Sequence, residues 1–247
     1  MTDFAKRVEE ASLNAWPASR QMVFDGWLLR FADGYTRRAN SVNPIYAGTG
    51  IVEHKIKFCE KIYSGRQLPC VFKITPFVQP ANLDEILAAA GYKQEALTSV
   101  QTLDLDMEVF EPFPDRLEWT EPVEAWVKEY VRMNGVEPKH ITSLTSILNH
   151  IVPETCFMLL QEQHTTVACG LAVRDGDWVG LFDIVADPSQ RGKGLGQKLV
   201  VSLLAWGARQ GAKSAYLQVM LNNEAALKLY GKLGFREIYP YWYRVKV

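Results

Sequence analysis

In the stretch ADPSQRGKGLGQKLV (186–200), Arg191 and Lys193 alternate with Gly192, Gly194 and Gly196, a spacing suited to holding a phosphate. Glycine lets an anion reach backbone N–H groups with no Cβ in the way. Arg191 can grip two phosphate oxygens at once, and Lys193 adds a second charge. Upstream, Asp183 is a carboxylate in the otherwise apolar run DWVGLFDIVAD. Burial there would raise its pKa and make it a base or an anchor for an amine, whereas strand alternation equally allows it to face solvent or a core arginine. Downstream, Asn223 and Tyr230 sit in LNNEAALKLY. A phenol with a pKa of about 10 holds its proton at neutral pH and can give it to a leaving group. Asn223 is equally a helix cap, and Tyr230 equally a core aromatic.

The elements that must carry these residues follow from periodicity. The Val-, Ile- and Phe-rich run ending at Asp187-Pro188 predicts a buried strand, and Leu195, Leu199, Val200, Leu203 and Trp206 predict a helix that ends near Gly207 or Gly211. Strand, glycine turn and helix place the first N–H groups of that helix, at the positive end of its dipole, where an anion would lie. Taken alone, the turn is equally an ordinary loop. Two common phosphate signatures are absent. A P-loop would need Gly-Lys-Ser/Thr, and a dinucleotide turn would need a glycine where Gln197 stands. An ATP-dependent phosphotransferase and a Rossmann dehydrogenase are therefore disfavoured.

Arg191-x-x-Gly194-x-Gly196 ahead of an amphipathic helix resembles the acyl-CoA pyrophosphate loop of the GNAT superfamily of N-acetyltransferases. The segment AYLQVMLNNEAALKLYGKLGFRE (215–237) is similar to a second motif of that family through Asn223, Ala226, Tyr230, Gly234 and Phe235. The resemblance covers roughly residues 118–247 and implies acetyl-CoA as acyl donor. Its pyrophosphate would rest on Arg191, Gly192, Lys193, Gly194, Leu195, Gly196 and Gln197, and its pantetheine arm along an open strand edge at Ile184, Val185 and Ala186. Tyr230 would supply a proton to the departing sulfur, and Asn223 would steady the cofactor or a nearby water. One position departs from the pattern. Some members carry a glutamate base on the strand before Asn223, where this chain has Gln218, which accepts no proton at neutral pH. The base is left to Asp183, a water chain or a histidine; none of His54, His140, His150 and His164 carries a local motif.

Shifted by 143 residues, HKIKFCEKIYSGRQLPCVFKI (54–74) lies over 197–217, and Gly91-Tyr92 over Gly234-Phe235. This predicts a degenerate first copy of the same fold. Arg191 falls over Gly48, Gly194 over Ile51, Gly196 over Glu53, Asn223 over Pro80 and Tyr230 over Leu87, so one cofactor site per chain is expected. The expected division is a degenerate GNAT-like domain at 1–107, a linker at 108–117 and a catalytic GNAT domain at 118–247. The fold class is α/β, each half a mixed, mostly antiparallel sheet flanked by helices. FDGWLLRFADGYTRRANSVNPIYAG reads as a β-hairpin whose second strand carries Thr36 to Asn43. Arg38 and Asn40 would share one face of it, either solvated or lining an acceptor pocket at the seam between halves.

Composition sets the remaining bounds. Of the 247 residues, 48% are hydrophobic, enough for a sizeable core, and 27 basic against 28 acidic residues give no general field toward nucleic acid or a membrane. The N-terminus has no apolar core of signal-peptide length, and no run approaches the roughly 18 apolar residues of a membrane span, so a cytoplasmic protein is expected. Cys59, Cys70, Cys156 and Cys169 show no metal or disulfide spacing and read as reduced core residues; no metal site is expected. The expected function is acetylation of a small-molecule, peptide or protein amine by direct attack in a ternary complex. The alternative is an acyl-CoA-binding regulatory or interaction protein without activity.

Overall fold

The computed structural model describes residues 2–105, 117–118, 122–190 and 192–246. Ala5, Val8, Ala11 and Ala15 recur at helical spacing and are buried along helix α1 (Thr2–Ala15). Strands β1 (Arg20–Phe24) and β2 (Trp27–Phe31) form a hairpin. Its two-residue turn is Asp25-Gly26, both at positive φ, the pairing such turns favour.

That tight turn corrects the expected hairpin. The second strand is 27–31, and Thr36 to Asn40 lie instead in a loop with one 3-10 turn, Arg37–Ala39, before the short strand β3 (Val42–Asn43). The cause is local. Asn40 is buried, and its side chain accepts from Ala32 N and Gly34 N at 2.8 and 3.0 Å and donates to Tyr35 O and Thr36 O at 2.7 and 2.9 Å. Such bonds give the backbone an alternative to a ladder. Arg38 and Asn40 therefore share no strand face.

The chain continues through α2 (Val52–Ser64), β4 (Cys70–Ile74), α3 (Leu83–Ala89) and β5 (Lys93–Asp104). The expected linker lies outside the described residues apart from its last residue, which opens β6 (Leu117–Glu118). Then come α4 (Val123–Asn134), α5 (Pro138–Asn149), β7 (Glu154–Glu162), β8 (Thr165–Asp175) and β9 (Trp178–Ala186). The last part is α6 (Leu195–Arg209), β10 (Ser214–Met220), α7 (Glu224–Lys232) and β11 (Arg236–Lys246). Under the 143-residue shift, α2 starts where α6 starts and β5 where β11 starts.

All described strands belong to one mixed sheet in the order β1-β2-β3-β4-β11-β5-β10-β9-β8-β7-β6. The two parallel ladders, β3 with β4 and β9 with β10, are the two crossovers through α2 and α6. The described ladders are otherwise antiparallel. The expected α/β class with a mostly antiparallel sheet holds, but as one sheet and not one apiece. Final strands are exchanged: β5 pairs with β10 and β11, and β11 with β4 and β5. This pairs edges that two separate sheets would leave open. Helix α1 crosses the junction, where Glu9 takes the Lys73 ammonium and, at 2.8 Å, the Tyr239 hydroxyl in a buried cluster. All four cysteines are buried and unbridged.

Candidate functional site

The site begins where β9 and β10 part. Their parallel ladder runs from Trp178↔Ser214 to Leu181↔Leu217 and stops. Beyond it β9 continues beside β8, and β10 beside β5, so the β9 edge at Ile184 and Val185 faces an open wedge. At the same place β9 bulges. The β8 register jumps between Cys169↔Val185 and Leu171↔Phe182, and Asp183 stands at φ +50°, a left-handed conformation that costs a non-glycine residue. Gly170 stands opposite on β8, where a Cβ would lie 2.7 Å from Ile184 Cδ1, and Trp126 Nε1 donates to Gly170 O at 3.1 Å. The bulge turns the Asp183 side chain into the cavity, the re-aiming that strand alternation alone leaves undecided.

This cavity has a volume of about 630 Å³ and takes walls from both halves of the chain. Asp183 is 8% exposed there, with Oδ1 3.4 Å from Arg38 Nη2 and Oδ2 without a hydrogen-bond partner. Burial pushes the carboxyl up from its ordinary value, against the Arg38 charge and the nearby Tyr130 hydroxyl, which favour the ionised form. Burial acts the other way on Arg38, but the Asp183 charge and neighbouring tyrosines offset it and the guanidinium stays charged. Arg38 also lies 4.4 Å from the Trp16 ring centroid. Its backbone carbonyl accepts from Arg30 Nη1 at 2.9 Å, and Arg30 Nη2 reaches Leu13 O and Trp16 O at the end of α1.

Tyr230 lines the cavity from α7, 8% exposed and edge-on to Phe235, and burial pushes its hydroxyl up to about 12. Asn223 is exposed at the cavity rim and caps α7, accepting from Ala226 N at 3.2 Å. Gln218, at the position of the absent glutamate, is held between Ser12 Oγ and the Tyr241 hydroxyl, the latter at 2.9 Å. No histidine lines the cavity among the described residues. Asn40 does not line it either.

Past β9, Asp187 accepts from Ser189 N at 2.9 Å and pairs with Arg132 Nη1 at 2.7 Å, which ties the loop to α4. Gly192 and Gly194 have φ of +82° and +76°, and a Cβ at either would meet nothing within 4 Å. Gly194 caps α6, whose first internal bond is Lys198 N to Gly194 O at 3.0 Å. The N–H groups of Leu195, Gly196 and Gln197 precede that bond and have no carbonyl within the helix. Lys193 contacts Gln190 beside them, and Arg191 lies outside the described residues. Ala186 pairs with Ala168 at the end of β9. Open glycines, unpaired helix N–H groups and an unpaired strand edge are what a pyrophosphate and an amide-bearing arm require.

The loop that falls over it at the 143-residue shift is filled from within. There the Asp25 carboxylate accepts from Thr49 N and Gly50 N, each at 2.9 Å, and pairs with Lys55 Nζ at 2.9 Å. A Cβ on Gly48 would lie 2.3 Å from Asp25 Oδ2.

Sequence reasoning missed several cavity residues. Tyr130 and Asn134 come from α4, where Asn134 Nδ2 donates to the Tyr130 hydroxyl at 2.7 Å. Tyr241 and Tyr243 come from β11, and Ala96 and Thr98 from β5. The period-2 run Tyr239, Tyr241, Tyr243, Val245 signals one buried face, but which cavity it reaches depends on the strand exchange.

Two parallel strands that part at a bulge, with a glycine turn and helix after the first, define a GNAT-type acetyltransferase fold. A solved GCN5-related N-acetyltransferase from Kribbella flavida matches it with a TM-score of 0.71 over 98% of this chain and 95% of its own, at 16% identity. The chain belongs to the GNAT family described as probable histone acetyltransferase Rv0428c C-terminal, whose model matches residues 2–244. It is 31% identical over 251 residues to the uncharacterized N-acetyltransferase YobR of Bacillus subtilis (strain 168), covering 99% of each chain. It is 27% identical to the probable histone acetyltransferase Rv0428c of Mycobacterium tuberculosis, covering 94% of this chain and 70% of that one. Acetyl-CoA is the acyl donor of GNAT acetyltransferases, and the loop, edge and cavity described above fit it. No described helix is long and apolar enough to cross a membrane.

Proposed function

We propose that this chain transfers the acetyl group of acetyl-CoA to an amine by direct attack in a ternary complex, with one cofactor site per chain. The observation that carries the proposal is the bulge at Asp183, which aims a buried carboxylate with one unpartnered oxygen into the wedge between β9 and β10. Acetyl-CoA supplies an acetyl group activated as a thioester. Gly192, Lys193, Gly194, Leu195, Gly196 and Gln197 hold the pyrophosphate by backbone N–H, and Arg191 and Lys193 add charge. Ile184, Val185 and Ala186 hold the arm, and an N–H of that open edge polarises the thioester carbonyl.

Asp183 accepts the proton that the amine loses as its nitrogen bonds the acetyl carbon and the carbon–sulfur bond breaks. This fills the role that Gln218 cannot. Tyr230, with its pKa near 12, keeps its proton at neutral pH. A thiol titrates near 8.5, so full transfer from the phenol is uphill and Tyr230 acts mainly by donating a hydrogen bond to the departing sulfur. Asn223 steadies the rim while capping α7.

The proposal includes the division into a degenerate half (1–107), a linker (108–117) and a catalytic half (118–247), and it rests on the recurrence of elements at the 143-residue shift. In the first half Asp25 occupies the Thr49 and Gly50 N–H groups, which fall over Gly192 and Lys193, and this supports one site. A cytoplasmic setting, where thiols stay reduced, belongs to the same reading. The test is release of free thiol from acetyl-CoA by the purified chain with small amines, amino acids, peptide N-termini and histone-tail lysines, with acetylated product confirmed by mass. Cofactor binding without amine-dependent thiol release would favour an acyl-CoA-binding regulatory protein instead.

A further inference from the structure

Among the described residues, the charged ones that line the cavity are Arg37, Arg38 and Asp183. Arg37 is half-exposed and its charge is taken by Glu95. Arg38 and Asp183 remain, one fixed cation beside one fixed anion, and neither is saturated by the other. Their contact is a single long one, Nη2 to Oδ1 at 3.4 Å, which leaves Oδ2 unpartnered and buried. A guanidinium carries five N–H donors in a rigid fork, so most of that fork is available to a ligand. Arg38 is held in place to offer it, against the Trp16 and Phe182 rings at 4.4 and 5.7 Å from their centroids and by Arg30 on its backbone carbonyl.

We propose that the acceptor is an α-amino acid, its ammonium on Asp183 and its carboxylate on Arg38, with Tyr130, Tyr241 and Tyr243 around its side chain. An α-amino acid carries its two charges one carbon apart, so one small molecule meets both adjacent groups. A plain amine satisfies Asp183 and leaves the Arg38 fork facing an uncharged ligand. A polycation such as a polyamine or a lysine-rich tail brings further positive charge against Arg38, at a cost in a partly desolvated site. The inference rests on the acetyl-transfer reading only in taking the bound amine as the reacting one, its ammonium first losing a proton to solvent and the second passing to Asp183 on attack.

The test is calorimetric titration of the whole chain, saturated with CoA, with each common L-amino acid, its carboxamide and spermidine. The expected result is at least one amino acid bound about 10- to 100-fold more tightly than its carboxamide, the range of a charge-assisted pair. In Arg38→Gln that ratio falls toward one, and in Arg38→Lys, which keeps charge but loses the fork, it lies between. The wild-type ratio stands by itself if a variant misfolds. A ratio near one for every pair, tighter binding of spermidine, or no amino acid bound would overturn the proposal. Tight, carboxylate-dependent binding with no thiol release would sink acetyl transfer and leave the ligand class standing. Thiol release indifferent to the carboxylate would do the reverse.

Discussion

Replacing Asp183 with asparagine tests the proton-accepting role. The amide has the same shape, its oxygen can still accept from Arg38 Nη2, and the side chain is only 8% exposed, so the cavity wall should persist. What disappears is basicity and the charge that would hold an ammonium, so rates are compared at saturating acceptor. General-base assistance contributes about 10²- to 10⁴-fold, or roughly 3–5 kcal/mol of barrier, and the single-turnover rate should fall by that amount with acetyl-CoA affinity little changed. The pH profile gives a second reading. The carboxyl must be ionised to act, so wild-type kcat/KM falls as pH falls, and because burial raises its pKa the acid limb lies above the ordinary carboxylate value of about 3.9. Asp183→Asn should lose that limb. Single-turnover rates matter because slow product release would hide the loss in the steady state. A folded variant within about threefold of wild type, with its acid limb intact, would refute the reasoning.

Tyr230→Phe removes a hydroxyl and keeps the ring on Phe235, so Tm should hold while kcat falls by about 10- to 100-fold, the range of one hydrogen bond to a developing charge; an unchanged single-turnover rate would take Tyr230 out of the reaction. Gly194→Ala meets no steric obstacle in the free protein, but its φ of +76° strains any side chain by about 1–2 kcal/mol. Tm should drop modestly and calorimetry should show acetyl-CoA affinity falling further than stability explains; unaltered affinity would move the pyrophosphate elsewhere. Asp25 is held well below the usual carboxylate range by the Thr49 N–H, the Lys55 ammonium and the Gly50 N–H. Its stabilisation is present above the unfolded value of about 3.9 and fades as pH falls below it, so Asp25→Asn should lower Tm at pH 7 and differ little from wild type in acid. A Tm difference independent of pH would contradict that.

Residues whose placement is local were legible in the sequence. Leu195 opens α6 where the apolar period starts, Asn223 caps α7, and the glycines of the turn take the positive φ values only glycine adopts freely. Asp183 was visible as a carboxylate in an apolar strand, but its direction depends on a bulge in the pairing of β9 with β8, which a single strand's pattern does not show. Arg38 reaches the site because Asn40 saturates its own loop and not through strand alternation. The exchange of β5 and β11 left no mark in either strand, since both read as ordinary alternating segments whichever neighbour they take. Tyr241 and Tyr243 were lost with it.

The central claim is that the wedge at Asp183 joins acetyl-CoA to an amine. Its most direct measurement follows free thiol and product mass together in one reaction of the purified chain, acetyl-CoA and the amine panel, after titration fixes the CoA stoichiometry. The expected result is one CoA per chain and one thiol released for each acetylated amine formed. Stoichiometric CoA binding with no amine-dependent thiol from any acceptor class would contradict it.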